Sequence, residues 1–168
     1  MVVADELQHQ MGGTIVLGIG NRLGGDDAAG TAVIDELSHR RQKIKAPLST
    51  EIMAIDTGTA PESYTSVIRR HQPDLLILVD AADMGLPQGA LRTIPPEKIG
   101  TLAFSTHSMP LSVFVSYLKE FCGKVLLIGV QPAHTEIGEH ISRAVRRSVK
   151  ELAEAIFDGR VGDIPPLE

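Results

Sequence analysis

Acidic side chains follow each of the first three predicted strands of this chain. Asp26 and Asp27 follow the first strand, Asp56 follows the second, and Asp80 and Asp83 follow the third. Ligands of open parallel sheets bind at the carboxyl ends of the strands, so these positions should share one edge of the sheet. Carboxylates gathered there are suited to binding a divalent cation or to transferring protons.

Asp80 has the most distinctive position of these acidic residues. It follows five consecutive apolar residues, 75–79, so its carboxylate should be partly removed from water. A carboxylate in that position needs a cation or strong hydrogen-bond donors. The alternative is a structural role, in which Asp80 caps a helix or holds a neighbouring loop. The same alternative applies, more strongly, to Asp56 and Asp83.

A glycine-rich turn at 18–25 precedes the first predicted helix and at first resembles a dinucleotide-binding fingerprint. Gly24, however, falls one residue too late for the pattern G-x-G-x-x-G. Asp26 and Asp27 would also repel a pyrophosphate at the helix N-terminus. The turn therefore favours a cation over a phosphate, although either aspartate could instead cap the helix.

His107 lies in a polar loop, 105–110, immediately before a predicted helix, and hydroxyl groups flank it. A lone histidine is more often structural or simply exposed. Two carboxylates and one imidazole with open coordination positions are, however, typical of a catalytic metal site. The sequence contains no G-x-S-x-G elbow and no H-E-x-x-H helix, and its only cysteine, Cys122, falls on the apolar face of a predicted helix. Serine, zincin and cysteine mechanisms are therefore disfavoured.

Apolar patterns place these residues on alternating strands and helices. Continuous apolar runs predict strands at 14–19, 51–55, 75–79 and 124–130, and a further short strand of undetermined direction is predicted at 90–94. Helical spacing predicts helices at about 27–40, 61–71, 110–122 and 141–158. The alternation predicts an α/β fold with a mostly parallel, twisted sheet of about five strands and helices on both faces.

One α/β domain is predicted at 13–158, between a loose leader at 1–12 and an irregular tail at 159–168. A length of 168 residues and a hydrophobic fraction of 43% are sufficient for a folded core. The formal net charge of −5 gives no general reason to bind nucleic acid. The apolar runs are far shorter than the roughly 20 residues of a membrane span, and the N-terminus is unlike a signal peptide. We therefore expect a cytoplasmic protein without a nucleic-acid or membrane partner.

Five motifs occur in a fixed order across nearly the whole domain. They are GIGNRLGGDD at 18–27, DTGTAPE at 56–62, VDAADMG at 79–85, THSMP at 106–110 and GVQP at 129–132. Together they resemble the nickel-iron hydrogenase maturation endopeptidases, most closely the hydrogenase-3 type. The resemblance implies a three-layer α/β/α sandwich and an endopeptidase that removes the C-terminal extension of a hydrogenase large-subunit precursor after nickel insertion.

The resemblance also implies a metal site. The metal ligands of the family correspond to Asp27, Asp80 and His107, and members of the family carry either Glu or Asp at the first of these positions. Asp83, like Asp26 and Asp56, is left as a spare carboxylate for proton transfer. We therefore expect Asp27, Asp80, Asp83 and His107 to be the catalytic residues.

The origin of the metal is left open by the resemblance. If the ion belongs to the protease, it polarises the scissile carbonyl and activates a bound water. If it is the nickel of the substrate, the three ligands probe that nickel and dock the precursor only when it is present. Zinc or cadmium could occupy the same ligands in the isolated protein. The expected partner is the nickel-loaded precursor, and a monomer could perform the reaction.

Two other functions are compatible with clustered aspartates at strand ends. A magnesium-dependent phosphohydrolase would use them to bind its metal. A nickel-sensing chaperone would bind the hydrogenase precursor without cutting it. The phosphohydrolase would release phosphate, the chaperone would leave the precursor at its full length, and only the endopeptidase would shorten it.

Overall fold

The computed structural model describes residues 12–44, 52–104 and 109–168. The predicted leader lies outside this range except for Gly12, and His107 also lies outside it. The strands are β1 (Thr14–Ile19), β2 (Ile52–Gly58), β3 (Leu75–Asp83), β4 (Leu91–Thr93), β5 (Ala103–Phe104) and β6 (Lys124–Val130). The α-helices are α1 (Ala29–Lys43), α2 (Thr65–His71), α3 (Pro96–Ile99), α4 (Leu111–Leu118) and α5 (Arg143–Phe157). Three 3₁₀ helices span Gly25–Ala28, Pro61–Tyr64 and Val161–Asp163.

The sheet is mostly parallel, as the alternating pattern predicts. Its order is β2-β1-β3-β6-β4, and the first four strands in that order run parallel to one another. The direction of the short strand β4, which the sequence left open, is antiparallel to β6. The strand β5 was not predicted, and it pairs antiparallel with the end of β3.

Helices cover both faces of the sheet and complete an α/β/α sandwich. On one face, α1 and α5 pack against the alternate side chains of the strands, among them Val16, Ile77 and Val79. On the other face, α2, α3 and α4 pack against the intervening set, among them Leu17, Leu76 and Leu78. The predicted layered α/β fold is therefore confirmed. The sequence could predict it because a strand with both faces covered is apolar at almost every position.

The acidic residues that were expected after β2 and β3 lie inside these strands. Asp56 is part of β2, which runs to Gly58, and both Asp80 and Asp83 are part of β3. The prediction ended β3 at Val79 because the apolar run ends there. The strand continues because Asp80 pairs with Gly129 of β6 and Asp83 pairs with Ala103 of β5.

Two predicted helix boundaries are wrong: the start of α1 and the end of α4. The helix expected from Asp27 begins as an α-helix only at Ala29, since the 3₁₀ helix Gly25–Ala28 precedes it. The helix α4 ends at Leu118 and does not extend to Cys122. Gly30 sets the position of α1, because a Cβ there would lie 2.3 Å from the carbonyl oxygens of both Ile19 and Val79.

The segment predicted as an irregular tail packs against the edge of the sheet. Its 3₁₀ helix buries Val161 in the core shared by α1 and α5. Beyond it, Thr93 of β4 donates its N–H to the Pro165 carbonyl at 3.0 Å and accepts from the N–H of Leu167 at 2.8 Å. These backbone bonds cover the outer edge of β4.

Candidate active site

Asp27 is held at the carboxyl end of β1 by its own backbone. The turn that follows β1 brings the Asp27 carbonyl so close to Gly20 that a Cβ there would lie 1.9 Å from that oxygen. Gly20 has φ +149°, which a side chain would disfavour. The Asp27 carboxylate accepts a hydrogen bond from the N–H of Asn21 at 3.1 Å. The N-cap residues of the 3₁₀ helix and of α1 are Gly24 and Ala28, so Asp27 is not the N-cap of either helix.

Asp26 joins the turn after β1 to the loop 131–142. Its side chain is fully buried and accepts from the N–H and the hydroxyl of Ser142 at 2.7 and 2.8 Å. It also accepts from the N–H groups of Ala133 and His134, at 2.8 and 3.3 Å. Ser142 is the N-cap of α5. Asp26 is therefore a structural group, and the expectation that it is spare for proton transfer is wrong.

Asp56 is also engaged, in this case by Arg22. The guanidinium donates to Asp56 at 2.9 and 2.7 Å and to Asp35 of α1 at 2.7 and 2.8 Å. The hydrogen bonds from Asp35 and then Asp56 raise the pKa of Arg22 far above its ordinary value. Asp56 further accepts from the N–H of Gly58 at 2.9 Å. These bonds fix the turn after β1 against β2 and leave Asp56 unsuited to the role of a free base.

Asp80 and Asp83 lie on opposite faces of β3. Side chains alternate along a strand, so Asp80 shares the face of Leu78 and Ala82, which is the face of α2, α3 and α4. Asp80 is fully buried, as its position after an apolar run predicts. Asp83 is exposed and shares the face covered by α1 and α5.

Gln131 holds the end of β3. Its side-chain oxygen accepts from the N–H groups of Met84 and Leu86 at 2.6 and 3.3 Å, and its amide donates to Asp83 at 3.2 Å. The hydrogen bond from Gln131, followed by one from the N–H of Gly85, lowers the pKa of Asp83 below its ordinary value. Asp83 is therefore an ionised carboxylate whose position is set by a nearly buried amide.

Asp27 and Asp83 open into one cleft of about 500 Å³ at the carboxyl edge of the sheet. We call this cavity the cleft. Its lining comes from the turn after β1, the end of β3, β5 and the loop after β6: Asp27, Ala81, Asp83, Ala103, Phe104, Gln131, Pro132, Ala133, His134 and Thr135. The structure thus brings two of the predicted catalytic residues together, with Asp80 next to Ala81 in β3.

The chain is similar to proteins of one known family. A family model described as hydrogenase maturation protease, HycI, matches residues 31–159. The hydrogenase 3 maturation protease of Escherichia coli K12 is 38% identical over 119 residues, which span 70% of this chain and 72% of that protein. This chain belongs to the hydrogenase maturation protease family. The family indicated by the five motifs is thereby confirmed.

Solved structures of hydrogenase maturation proteases have the same fold. The solution structure of the endopeptidase HycI from Escherichia coli superposes with a TM-score of 0.80 at 31% identity, covering 93% of this chain and 97% of that one. The crystal structure of a [NiFe] hydrogenase maturation protease HycI from Thermococcus kodakarensis gives 0.74 at 33% identity, covering 94% and 98%. Neither the phosphohydrolase nor the non-cleaving chaperone is supported by these comparisons.

The described ranges contain no helix long and apolar enough to cross a membrane.

In this hydrogenase maturation protease, Asp27 and Asp80 supply carboxylate oxygens of the kind that bind divalent ions. Asp80 is a fully buried carboxylate inside β3, directly after the apolar run 75–79, and Asp27 follows the neighbouring strand β1. Within residues 12–44, 52–104 and 109–168, no three His, Cys, Asp or Glu side chains form a group that could hold a metal. The third expected ligand, His107, lies outside those ranges.

Two residues of the cleft were missed by sequence reasoning. His134 lines the cleft, and a ring nitrogen lies 3.0 Å from the His140 carbonyl oxygen. Gln131 was noticed only as part of a family motif. Neither residue belongs to a periodic segment. The one sequence signal for Gln131 is its position as a polar residue directly after the apolar run 124–130. The exclusion of a cysteine mechanism agrees with Cys122, since burial raises its pKa to about 11.

Proposed function

We propose that this chain is the endopeptidase that removes the C-terminal extension of a nickel–iron hydrogenase large-subunit precursor once nickel has been inserted. The observation that carries the proposal is the cleft, which brings the exposed Asp83 and the partly buried Asp27 to the same edge of the sheet. Its volume suits a segment of polypeptide, and its walls come from four separate elements. Membership of the family supplies the reaction class.

The nickel of the precursor is the group that Asp27, Asp80 and His107 recognise. Two carboxylates and one imidazole leave coordination positions for ligands from the substrate. Asp80 faces the layer that contains α4, and His107 precedes the first residue of α4 by four positions in the chain. This short chain separation supports a site shared by Asp80 and His107, and Asp27 follows β1, the strand next to β3. An ion held by these residues would supply Lewis acidity towards the scissile carbonyl.

Asp83 accepts the proton of the attacking water. Asp83 is exposed at the cleft and is an ionised carboxylate at neutral pH, which is the state that can accept a proton. Gln131 orients the carboxylate through the 3.2 Å hydrogen bond from its amide. Asp27 and Asp80 are then reserved for the metal, and Asp26 and Asp56 for the framework of the site.

The test is a rate measurement on nickel-loaded and nickel-free precursor, with His107→Ala and a matched control. His39→Ala is the control, because His39 is exposed on α1 away from the cleft. We expect the wild type and His39→Ala to cleave the nickel-loaded precursor equally, and His107→Ala to leave it intact. Cleavage by His107→Ala at the wild-type rate would remove His107 from the mechanism.

The same measurement distinguishes the two sources of the metal. If the nickel belongs to the substrate, the metal-stripped protease should cleave nickel-loaded precursor and leave nickel-free precursor intact. If the protease needs its own ion, the stripped enzyme should fail on both until a divalent metal is added back. Zinc and cadmium serve as the comparison metals in that arm.

A further inference from the structure

Two large hydrophobic side chains stand out from the surface beside the cleft. Leu23 is 69% exposed and Ile137 is 73% exposed, and they are the two most exposed large hydrophobic residues in the described part of the chain. Leu23 belongs to the turn after β1, and Ile137 belongs to the loop after β6. These two residues are called the apolar rim below.

Hydrogen bonds hold the backbone of the turn that carries Leu23 and join it to the residue after Ile137. The N–H of Leu23 donates to the Asn21 side chain at 2.9 Å, and its carbonyl accepts from the N–H of Gly138 at 2.9 Å. The preceding residue, Arg22, is bound to Asp35 and Asp56 on two different elements. The exposure of Leu23 is therefore built into an anchored turn, and ordering the rim on binding costs little entropy.

The same two segments form part of the cleft. The turn that carries Leu23 continues to Asp27, and the loop that carries Ile137 lines the cleft with residues 131–135. Gly25 of the turn packs against His134, with the His134 carbonyl 3.0 Å from the position of a Cβ. The cleft itself contains carboxylates, so an apolar part of a substrate gains more from contact with the rim than from the cleft interior.

We propose that the apolar rim binds an apolar stretch of the precursor polypeptide next to the scissile bond, and so contributes to recognition of the substrate. The inference rests on the proposed function, because it takes the precursor as the occupant of the adjoining cleft. A second copy of this chain is disfavoured as the occupant, since two side chains supply far less than the roughly 800 Å² per partner of a stable interface.

The experiment is steady-state processing of nickel-loaded precursor by the double variant Leu23→Ser/Ile137→Ser. We expect KM to rise about tenfold, equivalent to about 1.4 kcal/mol, with kcat within about twofold of the wild type. The conservative variant Leu23→Met/Ile137→Val should restore the wild-type KM. Ile44→Ser is the matched control, because Ile44 is 44% exposed but follows the last residue of α1, far from the cleft.

Three outcomes would decide against the apolar rim. An unchanged KM in the double variant overturns the proposal, as does an equal rise in KM for Ile44→Ser. A lower sedimentation coefficient for the double variant than for the wild type, with an unchanged KM, would identify a second copy of this chain as the occupant. If the wild type does not cleave the precursor, the proposed function fails separately, and equilibrium binding of the precursor to the wild type and the double variant still tests the rim.

Discussion

Asp26 and Asp27 are adjacent in one 3₁₀ helix, but their surroundings differ in almost every respect. Asp26 is fully buried and accepts four hydrogen bonds from the loop 131–142, forming what we call the buried joint with Ala133, His134 and Ser142. Asp27 is partly exposed and lines the cleft. One carboxylate therefore holds the walls of the site together, and its neighbour in the chain lines the cleft.

The largest expected effect is the loss of processing in Asp27→Asn. Because Asp27 is proposed as a metal ligand, the rate should fall by about a thousandfold or more, equivalent to about 4 kcal/mol of barrier. The amide can still accept from the N–H of Asn21, so the unfolding free energy should change by less than about 1 kcal/mol. Rate assays and denaturant unfolding measure the two quantities. A variant that loses stability and activity in parallel would contradict a role in the cleft.

Asp26→Ala should have the opposite profile. Its removal leaves buried donors of Ala133, His134 and Ser142 without an acceptor, which should destabilise the fold by about 3 kcal/mol. For a chain of this size the melting temperature should fall by about 6–12 °C. Asp163→Ala is the control, since the Asp163 side chain is 77% exposed and its change should be within about 0.5 kcal/mol. A wild-type melting temperature for Asp26→Ala would rule out the buried joint.

Ser142→Ala should have a smaller effect on the same joint. The hydroxyl donates to Asp26 at 2.8 Å and accepts from the N–H of Val145 at 3.4 Å, so both a buried bond and the cap of α5 are weakened. We expect a loss of about 1 kcal/mol. A double-mutant cycle with Asp26→Ala should show that the two losses are not additive. Simple additivity would mean that the two residues act independently.

Gln131→Leu acts on the cleft, and its readout is the smallest of these, a change in the titration of one carboxyl. The variant also removes the acceptor of the Met84 and Leu86 N–H groups, so its loss of stability is measured separately. The variant removes the largest cause of the lowered pKa of Asp83, so that pKa should rise towards its ordinary value of 3.8. A carboxyl group whose pKa is lowered in the folded state stabilises the fold fully above its unfolded-state pKa. It loses this contribution as the pH falls through the folded-state pKa. The acid limb of unfolding should therefore be less steep in Gln131→Leu. A carboxyl NMR titration that finds the same pKa in both proteins would contradict the role of Gln131.

The sequence predicted the layers of the fold and the burial of Asp80, because both follow from local apolar patterns. It could not separate Asp26 from Asp27, since the partners of Asp26 lie more than a hundred residues later in a loop without periodicity. It ended β3 too early, because the pairing of Asp80 with Gly129 and of Asp83 with Ala103 depends on other strands. His134 was missed for the same reason as the partners of Asp26.

The intact mass of nickel-loaded precursor after incubation with this chain shows whether the chain is the processing endopeptidase. We expect one cut near the C-terminus, with the precursor replaced by a shortened large subunit and the released extension. The parallel incubation with Asp27→Asn should leave the precursor at its full mass. A full-length precursor after incubation with the folded wild-type protein, or equal cleavage by Asp27→Asn, would contradict the account.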